Sequence, residues 1–301
     1  MYTRSNRVGT SQRNDHFVTL FYFSFMSQYK FIALDIDGTL TRNDRTLSPD
    51  TLSMLLGAQQ QGLRVIISSG RPTYGIAPLA DALELSRYGG FVLSYNGGEV
   101  WDWANRQCLY ASTIPDALIS LLYQQATSAS FSIMTYCGEN IVTETPDNPY
   151  IQLSSARNQM HIKQVADFVR EVDYPLSKCM IVGEPESLHR FECSLNQMLQ
   201  GRANAYRSEP FYLEVVPTGI DKAKGLEALL SRLGAMPAEL IACGDGYNDI
   251  SMIRYAGLGV AMGNAQDIVK EAADYVTLSN EADGVAHVIR KFFFEDSLPS
   301  L

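Results

Sequence analysis

Two aspartates near the start of the sequence stand where a buried strand should end. The apolar run FIAL (31–34) predicts such a strand, and Asp35 and Asp37 follow it, two positions apart and on either side of Ile36. A buried carboxylate costs several kcal/mol unless it is paired or bound to a metal ion. A strand that leaves the core into a polar turn would be a purely structural explanation. Polar residues elsewhere in the chain decide between this explanation and a site in which the carboxylates are paired or bind a metal ion.

Polar residues also follow two other predicted strands. Ser69 and Gly70 end the run RVIISSG, and Asp245 ends the run LIACGD. Because the carboxyl ends of parallel strands meet at one edge of a sheet, we expect these groups to lie beside Asp35. Converging carboxylates favour a hard cation such as Mg²⁺, which binds a few carboxylates together with substrate phosphate. The sequence therefore predicts a magnesium site at this edge.

A carboxylate beside such a cation can attack phosphorus and form an acyl-phosphate. We expect Asp35 to be this nucleophile because it directly ends the strand. Asp37 would protonate the leaving oxygen and then activate water. The phosphoryl oxygens also need donors and positive charge, which the Ser69 hydroxyl and a lysine of the GIDKAKG stretch, Lys222 or Lys224, would supply.

The elements that must position these residues alternate along the chain. Strand patterns occur at 31–34, 64–70, 91–98, 240–245, 258–263 and 275–278, with helical patterns between most of them. This alternation predicts an α/β fold, a Rossmann-like parallel sheet with helices on both faces.

The middle of the chain breaks the alternation. Residues 113–213 mix short strands with helical patterns near 115–127, 161–170 and 185–200. We interpret this segment as an inserted second domain of mixed strands and helices. The catalytic core would then comprise 29–112 and 214–301, with links near Ser112 and Glu214.

The first 28 residues differ in character from the rest. Three arginines precede the apolar stretch FVTLFYFSFM, which resembles a weak signal peptide without a small-residue cleavage site. Its ten residues are too few to span a bilayer. We expect residues 1–28 to be an extension outside the fold, with Met26 as a natural start for a cytosolic domain.

Composition limits the possible partners. The chain has 301 residues and a net charge of −9, which argues against binding to nucleic acid. No run of about 20 apolar residues predicts a membrane span, and the sequence points to no protein partner. Its five cysteines form no C-x-x-C pair, which indicates a reducing, cytoplasmic location.

Four motifs stand in a known order: DIDGTL, SSGR, GIDKAKG and GDGYNDISMI. With them the sequence resembles the haloacid dehalogenase superfamily, in its Cof-type branch. The motifs cover about 31–111 and 214–290, and the middle matches only as an insertion of the expected size and place. The resemblance implies a magnesium-dependent phosphatase that hydrolyses a small phosphorylated metabolite through an aspartyl-phosphate. It also implies that the inserted segment 113–213 is an α+β cap domain, which would exclude water from the site and select the leaving group. Ser69 replaces the usual threonine and Ala223 the usual glycine, and both changes are mild.

The resemblance also implies roles for single residues. Asp35 would be nucleophile and metal ligand, and Asp37 would be the acid/base and give its main-chain carbonyl to the metal. Lys222, rather than Lys224, matches the motif lysine, and Asp245 matches the third protein ligand of the metal. Ser69 and Gly70 would bind the phosphoryl group.

Four further residues have a structural alternative. Asn248 resembles a phosphate contact and Asp249 a residue that orients the lysine or a metal-bound water, but either could cap the following helix. Asn96 is expected in a turn, which the family places near the phosphate. Arg71 is interpreted as a structural partner at its turn.

Two other functions stay open on the sequence. A phosphomutase of the same superfamily would use the same aspartates, although GDGYNDISMI fits phosphatases better. A non-catalytic metabolite-binding homologue would keep the fold, and the intact Asp35, Asp37, Lys222 and Asp245 argue against it. The substrate itself is left open among sugar phosphates, pyridoxal phosphate and flavin-related phosphates.

Overall fold

The computed structural model describes residues 27–294. Most of the 1–28 extension therefore lies outside the described residues. Ser27 and Gln28, which we expected outside the fold, are described, and the Ser27 hydroxyl donates to the Phe292 carbonyl at 3.3 Å. Tyr29 is buried in the core. Ser27 thus contacts the described fold, although we expected it outside.

The strands and helices are numbered here in chain order. The strands are β1 Phe31–Leu34, β2 Arg64–Ser68, β3 Phe91–Ser94, β4 Glu99–Asp102, β5 Gln107–Ala111, β6 Ser132–Cys137, β7 Asn140–Thr143, β8 His161–Gln164, β9 Cys179–Val182, β10 Ala203–Glu209, β11 Tyr212–Pro217, β12 Leu240–Gly244, β13 Leu258–Ala261 and β14 Tyr275–Val276. The helices are α1 Pro49–Gln60, α2 Thr73–Ala82, α3 Leu85–Tyr88, α4 Ile119–Ser128, α5 Pro149–Asn158, α6 Phe168–Glu171, α7 Pro185–Leu199, α8 Lys222–Leu233, α9 Ile250–Tyr255, α10 Asp267–Glu271 and α11 Gly284–Ile289. Within residues 27–294, no helix has both the length and the apolar character needed to cross a bilayer.

An eight-stranded sheet carries the predicted strands, in the order β14-β13-β12-β1-β2-β3-β4-β5. The strands from β14 to β3 are parallel, and β4 and β5 extend the sheet as an antiparallel pair. Ile32 and Leu34 pack into one hydrophobic cluster with Leu55 of α1, whereas Phe31 and Ala33 pack into another with Leu226 of α8. Helices therefore cover both faces of the sheet, which confirms the predicted α/β fold.

The middle of the chain forms a second, six-stranded sheet in the order β10-β11-β9-β6-β7-β8. Helices α4 and α7 pack on it through Leu122, Leu188 and Leu195. The helix predicted near 161–170 is wrong at its start, because 161–164 form strand β8. This strand lies at the edge of the sheet and is largely exposed, so it lacks the apolar run that marks a central strand.

The end of the inserted segment also differs from the prediction. Glu214 lies inside β11, which pairs with both β9 and β10, so the second sheet continues to Pro217. At the first link, the Ser112 N–H donates to Gly98 of the large sheet unit, and the Ile114 N–H donates to Leu176 of the inserted one. We propose that the division into catalytic core and cap follows the two sheets.

Candidate active site

A buried lysine joins two of the predicted aspartates. Lys222 is the first residue of α8 and is fully buried. Its Nζ donates to Asp35 Oδ1 at 2.6 Å, to Asp249 Oδ1 at 2.6 Å and to the Ser68 carbonyl at 2.8 Å. These three acceptors use all three ammonium protons. Lys224 instead donates to Glu227 on the exposed side of the helix.

Asp249 is a structural bridge between this lysine and the loop after β12. Its Oδ2 accepts the main-chain N–H groups of Asp245 at 2.9 Å and Gly246 at 2.8 Å. Its side chain makes no capping hydrogen bond to α9. Both carboxylate oxygens therefore have partners, and Asp249 links Lys222 to the Asp245 loop.

Asp245 approaches Asp35 across the sheet edge. Its Oδ1 accepts a hydrogen bond from the Thr39 hydroxyl at 2.7 Å. Gly38 makes room for it, because a Cβ at position 38 would lie 2.4 Å from Asp245 Oδ2, and the residue has a φ of +85° that favours glycine. One carboxylate oxygen from each of Asp35, Asp245 and Asp249 lies within 4.8 Å of the other two. Within this set, Asp35 and Asp245 each keep an Oδ2 that accepts no hydrogen bond from a described residue, and such hard oxygen atoms fit Mg²⁺.

Burial controls the ionisation of this cluster. It raises the pKa of Asp35, Asp249 acts in the same direction, and Lys222 opposes both. Burial also raises the pKa of Asp245 to about 6, against the hydrogen bond from Thr39. Burial acts to lower the pKa of Lys222, but Asp249 and Asp35 outweigh it, so that pKa is raised. A divalent cation beside the carboxylates would favour their charged forms.

Asp37 lines the same cavity but is not part of the compact carboxylate set. Arg71 donates to both of its oxygens, from Nε at 3.0 Å and from Nη2 at 2.5 Å. The Asp37 side chain is 53% exposed, at the mouth of the site. The structure thus gives Arg71 the structural role expected for it, and its partner is the predicted acid/base.

The remaining predicted residues surround the end of β2. Ser69 Oγ accepts the Arg71 N–H at 3.2 Å, which leaves its own proton free to donate. Asn248 donates to Asn96 Oδ1 at 3.0 Å. Asn96 has a left-handed backbone, with φ of 56°, and its N–H donates to the Ser69 carbonyl at 2.9 Å. The Asn96 amide also lies beside Gly70, 3.1 Å from where a Cβ would stand.

These residues form the floor of a cavity of about 710 Å³ that lies between the two sheets. Its other walls include cap residues that sequence reasoning missed: Tyr136, Arg157, Lys178, Tyr206 and Glu214. They fall in no motif. The one available signal was Lys178, a charged residue directly before the buried strand β9.

The comparisons with known proteins match this architecture. The family model described as haloacid dehalogenase-like hydrolase matches residues 32–289. The chain belongs to this family. Membership confirms the resemblance seen in the motifs, and the enzyme class follows: the protein is a hydrolase of the phosphatase type.

Similar members of the haloacid dehalogenase-like hydrolase family cover nearly the same length. The 5-amino-6-(5-phospho-D-ribitylamino)uracil phosphatase YcsE of Bacillus subtilis is 31% identical, over 87% of this chain and 94% of its own. The phosphatase YitU of Bacillus subtilis, with the same named substrate, is 29% identical over 87% of this chain and 97% of its own. A haloacid dehalogenase-like hydrolase from Bacteroides thetaiotaomicron has a TM-score of 0.86 at 48% identity, over 88% of this chain and 100% of its own.

Proposed function

We propose that this protein is a magnesium-dependent phosphatase that hydrolyses a small phosphorylated metabolite through an aspartyl-phosphate on Asp35. The observation that carries the proposal is the contact between Asp35 and the buried Lys222. Lys222 holds Oδ1, and no described residue donates a hydrogen bond to Oδ2. One oxygen of a positioned carboxylate is thus left for attack on phosphorus.

The metal would be held by the carboxylates of Asp35 and Asp245 and by the main-chain carbonyl of Asp37. The Asp37 side chain is occupied by Arg71, and both oxygens of Asp249 are used, so neither carboxylate is a proposed ligand. Bound Mg²⁺ would neutralise charge on the phosphoryl oxygens.

The residues of the chain would carry out two steps. In the first, Asp35 attacks phosphorus, the bond from phosphorus to the leaving oxygen breaks, and Asp37 gives that oxygen a proton. In the second, Asp37 takes a proton from water, which hydrolyses the acyl-phosphate to Asp35 and inorganic phosphate. Ser69 and Asn248 would donate to the phosphoryl oxygens, with Gly70 beside them. Proton transfer by Asp37 requires one of its oxygens to be freed from Arg71.

The cavity supports a small substrate. Its volume of about 710 Å³ accommodates a phosphorylated metabolite, and the cap would close over it. We also propose a cytoplasmic location, which is supported by five free cysteines.

The phospho-enzyme provides the direct test. Acid-quenched enzyme, mixed with p-nitrophenyl phosphate and Mg²⁺, should carry one added phosphoryl group on the peptide that contains Asp35, as measured by mass spectrometry. Asp35→Asn should carry none. Phosphorylation elsewhere, or turnover without a trapped phospho-enzyme at any time point, would contradict the mechanism.

A further inference from the structure

Lys178 brings a cap charge to the phosphate-binding loop. It directly precedes β9 and is 4% exposed. Its Nζ donates to the Gly70 carbonyl at 3.0 Å and lies 3.3 Å from Glu214 Oε2. Glu214 is also buried, and both residues line the cavity. A cap ion pair therefore meets the core next to the residues that would hold the phosphoryl group.

The position of Lys178 is fixed by its neighbours. The Ser177 hydroxyl donates to Glu99 of β4 at 2.7 Å, and the Leu176 carbonyl accepts the Ile114 N–H at 2.7 Å. The ammonium also lies 5.8 Å and 5.7 Å from the ring centres of Tyr95 and Tyr136. Three consecutive cap residues thus contact the core or its link.

The ammonium group has a donor to spare. It carries three protons, and two oxygen acceptors of the described residues lie within reach. Burying an ion pair costs desolvation and does not by itself stabilise a fold. A buried pair that faces a cavity, with one donor unused, is suited to binding a ligand.

The other cap cations of the cavity are neutralised. Arg157 pairs with Glu209, and Arg207 pairs with Glu192 at 2.9 Å. Each cap cation that lines the cavity within residues 27–294 therefore has a carboxylate partner. The cap offers many donors and acceptors but no unbalanced positive charge to a second anionic group.

The cations that the catalytic core contributes to the cavity are likewise paired or exposed to solvent. Arg71 is paired with Asp37. Arg45 lines the cavity but is exposed to solvent, where water and salt weaken its attraction for an anion.

We propose that Lys178 and Glu214 determine specificity by binding a hydroxyl of the leaving group. A hydroxyl can accept from Lys178 and donate to Glu214 at the same time. A carboxylate or second phosphate in the same place would face Glu214, and like charges in a buried site disfavour binding. The inference rests on the proposed phosphatase function, and it counts against a phosphomutase, which must hold a bisphosphate.

Two matched substrates test the pair. Sorbitol 6-phosphate and 6-phosphogluconate share a six-carbon open chain and differ by a hydroxymethyl group against a carboxylate. The wild-type enzyme should prefer sorbitol 6-phosphate. Lys178→Met should lower kcat/KM for it by about 10- to 100-fold, mainly through KM, because a hydrogen bond to a charged group is lost. With p-nitrophenyl phosphate, which has no hydroxyl to offer, the loss should be clearly smaller, so the ratio of kcat/KM for sorbitol 6-phosphate to that for p-nitrophenyl phosphate should fall.

Glu214→Gln should shift selectivity towards the substrate that carries a carboxylate. It keeps the size of the side chain and leaves Lys178 unbalanced, so the ratio of kcat/KM for 6-phosphogluconate to that for sorbitol 6-phosphate should rise about tenfold. Lys163→Met, at an exposed position of β8, is the matched control. It should leave the relative kcat/KM values of the three substrates unchanged.

Three results would overturn the inference. Equal losses for all three substrates in Lys178→Met would mean that the pair only holds the cap on the core. A wild-type enzyme without preference for sorbitol 6-phosphate, or an unchanged ratio in Glu214→Gln, would remove the specificity role. Failure of the phosphatase proposal would look different: p-nitrophenyl phosphate would not be hydrolysed by the wild type, or would be hydrolysed equally well by Asp35→Asn.

Discussion

Arg71 holds the carboxylate of Asp37 with two hydrogen bonds, at 3.0 Å and 2.5 Å, and its own main-chain N–H donates to Ser69 Oγ. One arginine therefore connects the proposed proton donor to the proposed phosphate-binding hydroxyl. This pairing separates Asp37 from Asp35, which lies two residues earlier but is buried against Lys222. The two aspartates should behave differently when they are replaced.

Asp35→Asn is expected to lower the phosphatase turnover rate by about 10³-fold or more, because the nucleophile is lost. The variant should stay folded, since an amide oxygen at this position can still accept from Lys222. Phosphate release with saturating Mg²⁺ measures the effect. Lys224→Met, which alters an exposed lysine of the same helix, should retain wild-type turnover. Substantial turnover by Asp35→Asn would rule out the aspartyl-phosphate.

Asp37→Asn is expected to slow phospho-enzyme formation according to the leaving group. An alkoxide needs a proton far more than p-nitrophenolate does, and positioned acid catalysis is worth about 10²- to 10⁴-fold. Rapid-quench measurements should therefore show a much larger loss with an alkyl phosphate than with p-nitrophenyl phosphate. Asp50→Asn, in an exposed surface pair with Arg290, serves as control. Equal losses with both substrates would remove the acid/base role of Asp37.

Stability without Mg²⁺ is expected to fall as pH rises from 5 to 8. The carboxyls of Asp35 and Asp245 have raised pKa values in the folded protein, about 6 for Asp245. Such groups hold protons that the unfolded chain releases, so their contribution is complete below the ordinary pKa and disappears as pH rises through the folded one. Mg²⁺, which binds the charged forms, should restore more stability at pH 8 than at pH 5.

Thermal denaturation with EDTA or Mg²⁺ at several pH values checks this expectation. Asp245→Asn removes one of the two groups and should show a flatter pH dependence in EDTA. Stabilisation by Mg²⁺ that is equal at pH 5 and pH 8 would show that these carboxyls do not bind the cation.

Gly38→Ala is expected to raise the Mg²⁺ concentration needed for half-maximal activity by about tenfold or more, because an added methyl group would displace Asp245. Gly234→Ala is the matched control. Gly234 also has a positive φ, of 65°, but apart from its chain neighbours no described residue places an atom within 4 Å of an added Cβ. Both variants should lose stability of about 1 kcal/mol from backbone strain. Only Gly38→Ala should change the magnesium dependence, and a similar change in both would implicate strain alone.

Sequence reasoning succeeded where the cause of a structure is local. A serine followed by a proline is a local signal for a helix start, and Ser48 Oγ accepts the Thr51 N–H at 3.0 Å ahead of α1. The aspartates at strand ends were expected at one sheet edge, because the order of parallel strands brings their ends together. Asp35 and Asp245 do lie together there, with Asp249 of the following turn beside them, whereas the side chain of Asp37 pairs with Arg71.

Sequence reasoning failed where a side chain's position depends on a partner that is distant in the chain. The partner of Asp37 is Arg71, 34 positions away, and that of Lys178 is Gly70, 108 positions away. No local pattern indicates such pairs. The link expected at Glu214 fell inside β11 because that residue's place depends on pairing with β9, which the sequence of the strand alone does not reveal.

The nesting of one sheet inside the other has a consequence for biosynthesis. Phe31 of β1 pairs with Leu240 of β12, whereas the second sheet is built entirely from 132–217. As a ribosome releases the chain from its amino end, the inserted sheet has all its strands while β1 still lacks one neighbour. Because long-range pairing is slow and must wait for the later segment, we expect the cap to fold first. The nascent protein would thus possess its selectivity element before its carboxylate cluster, and it would be inert until the segment that carries Asp245 has been synthesised.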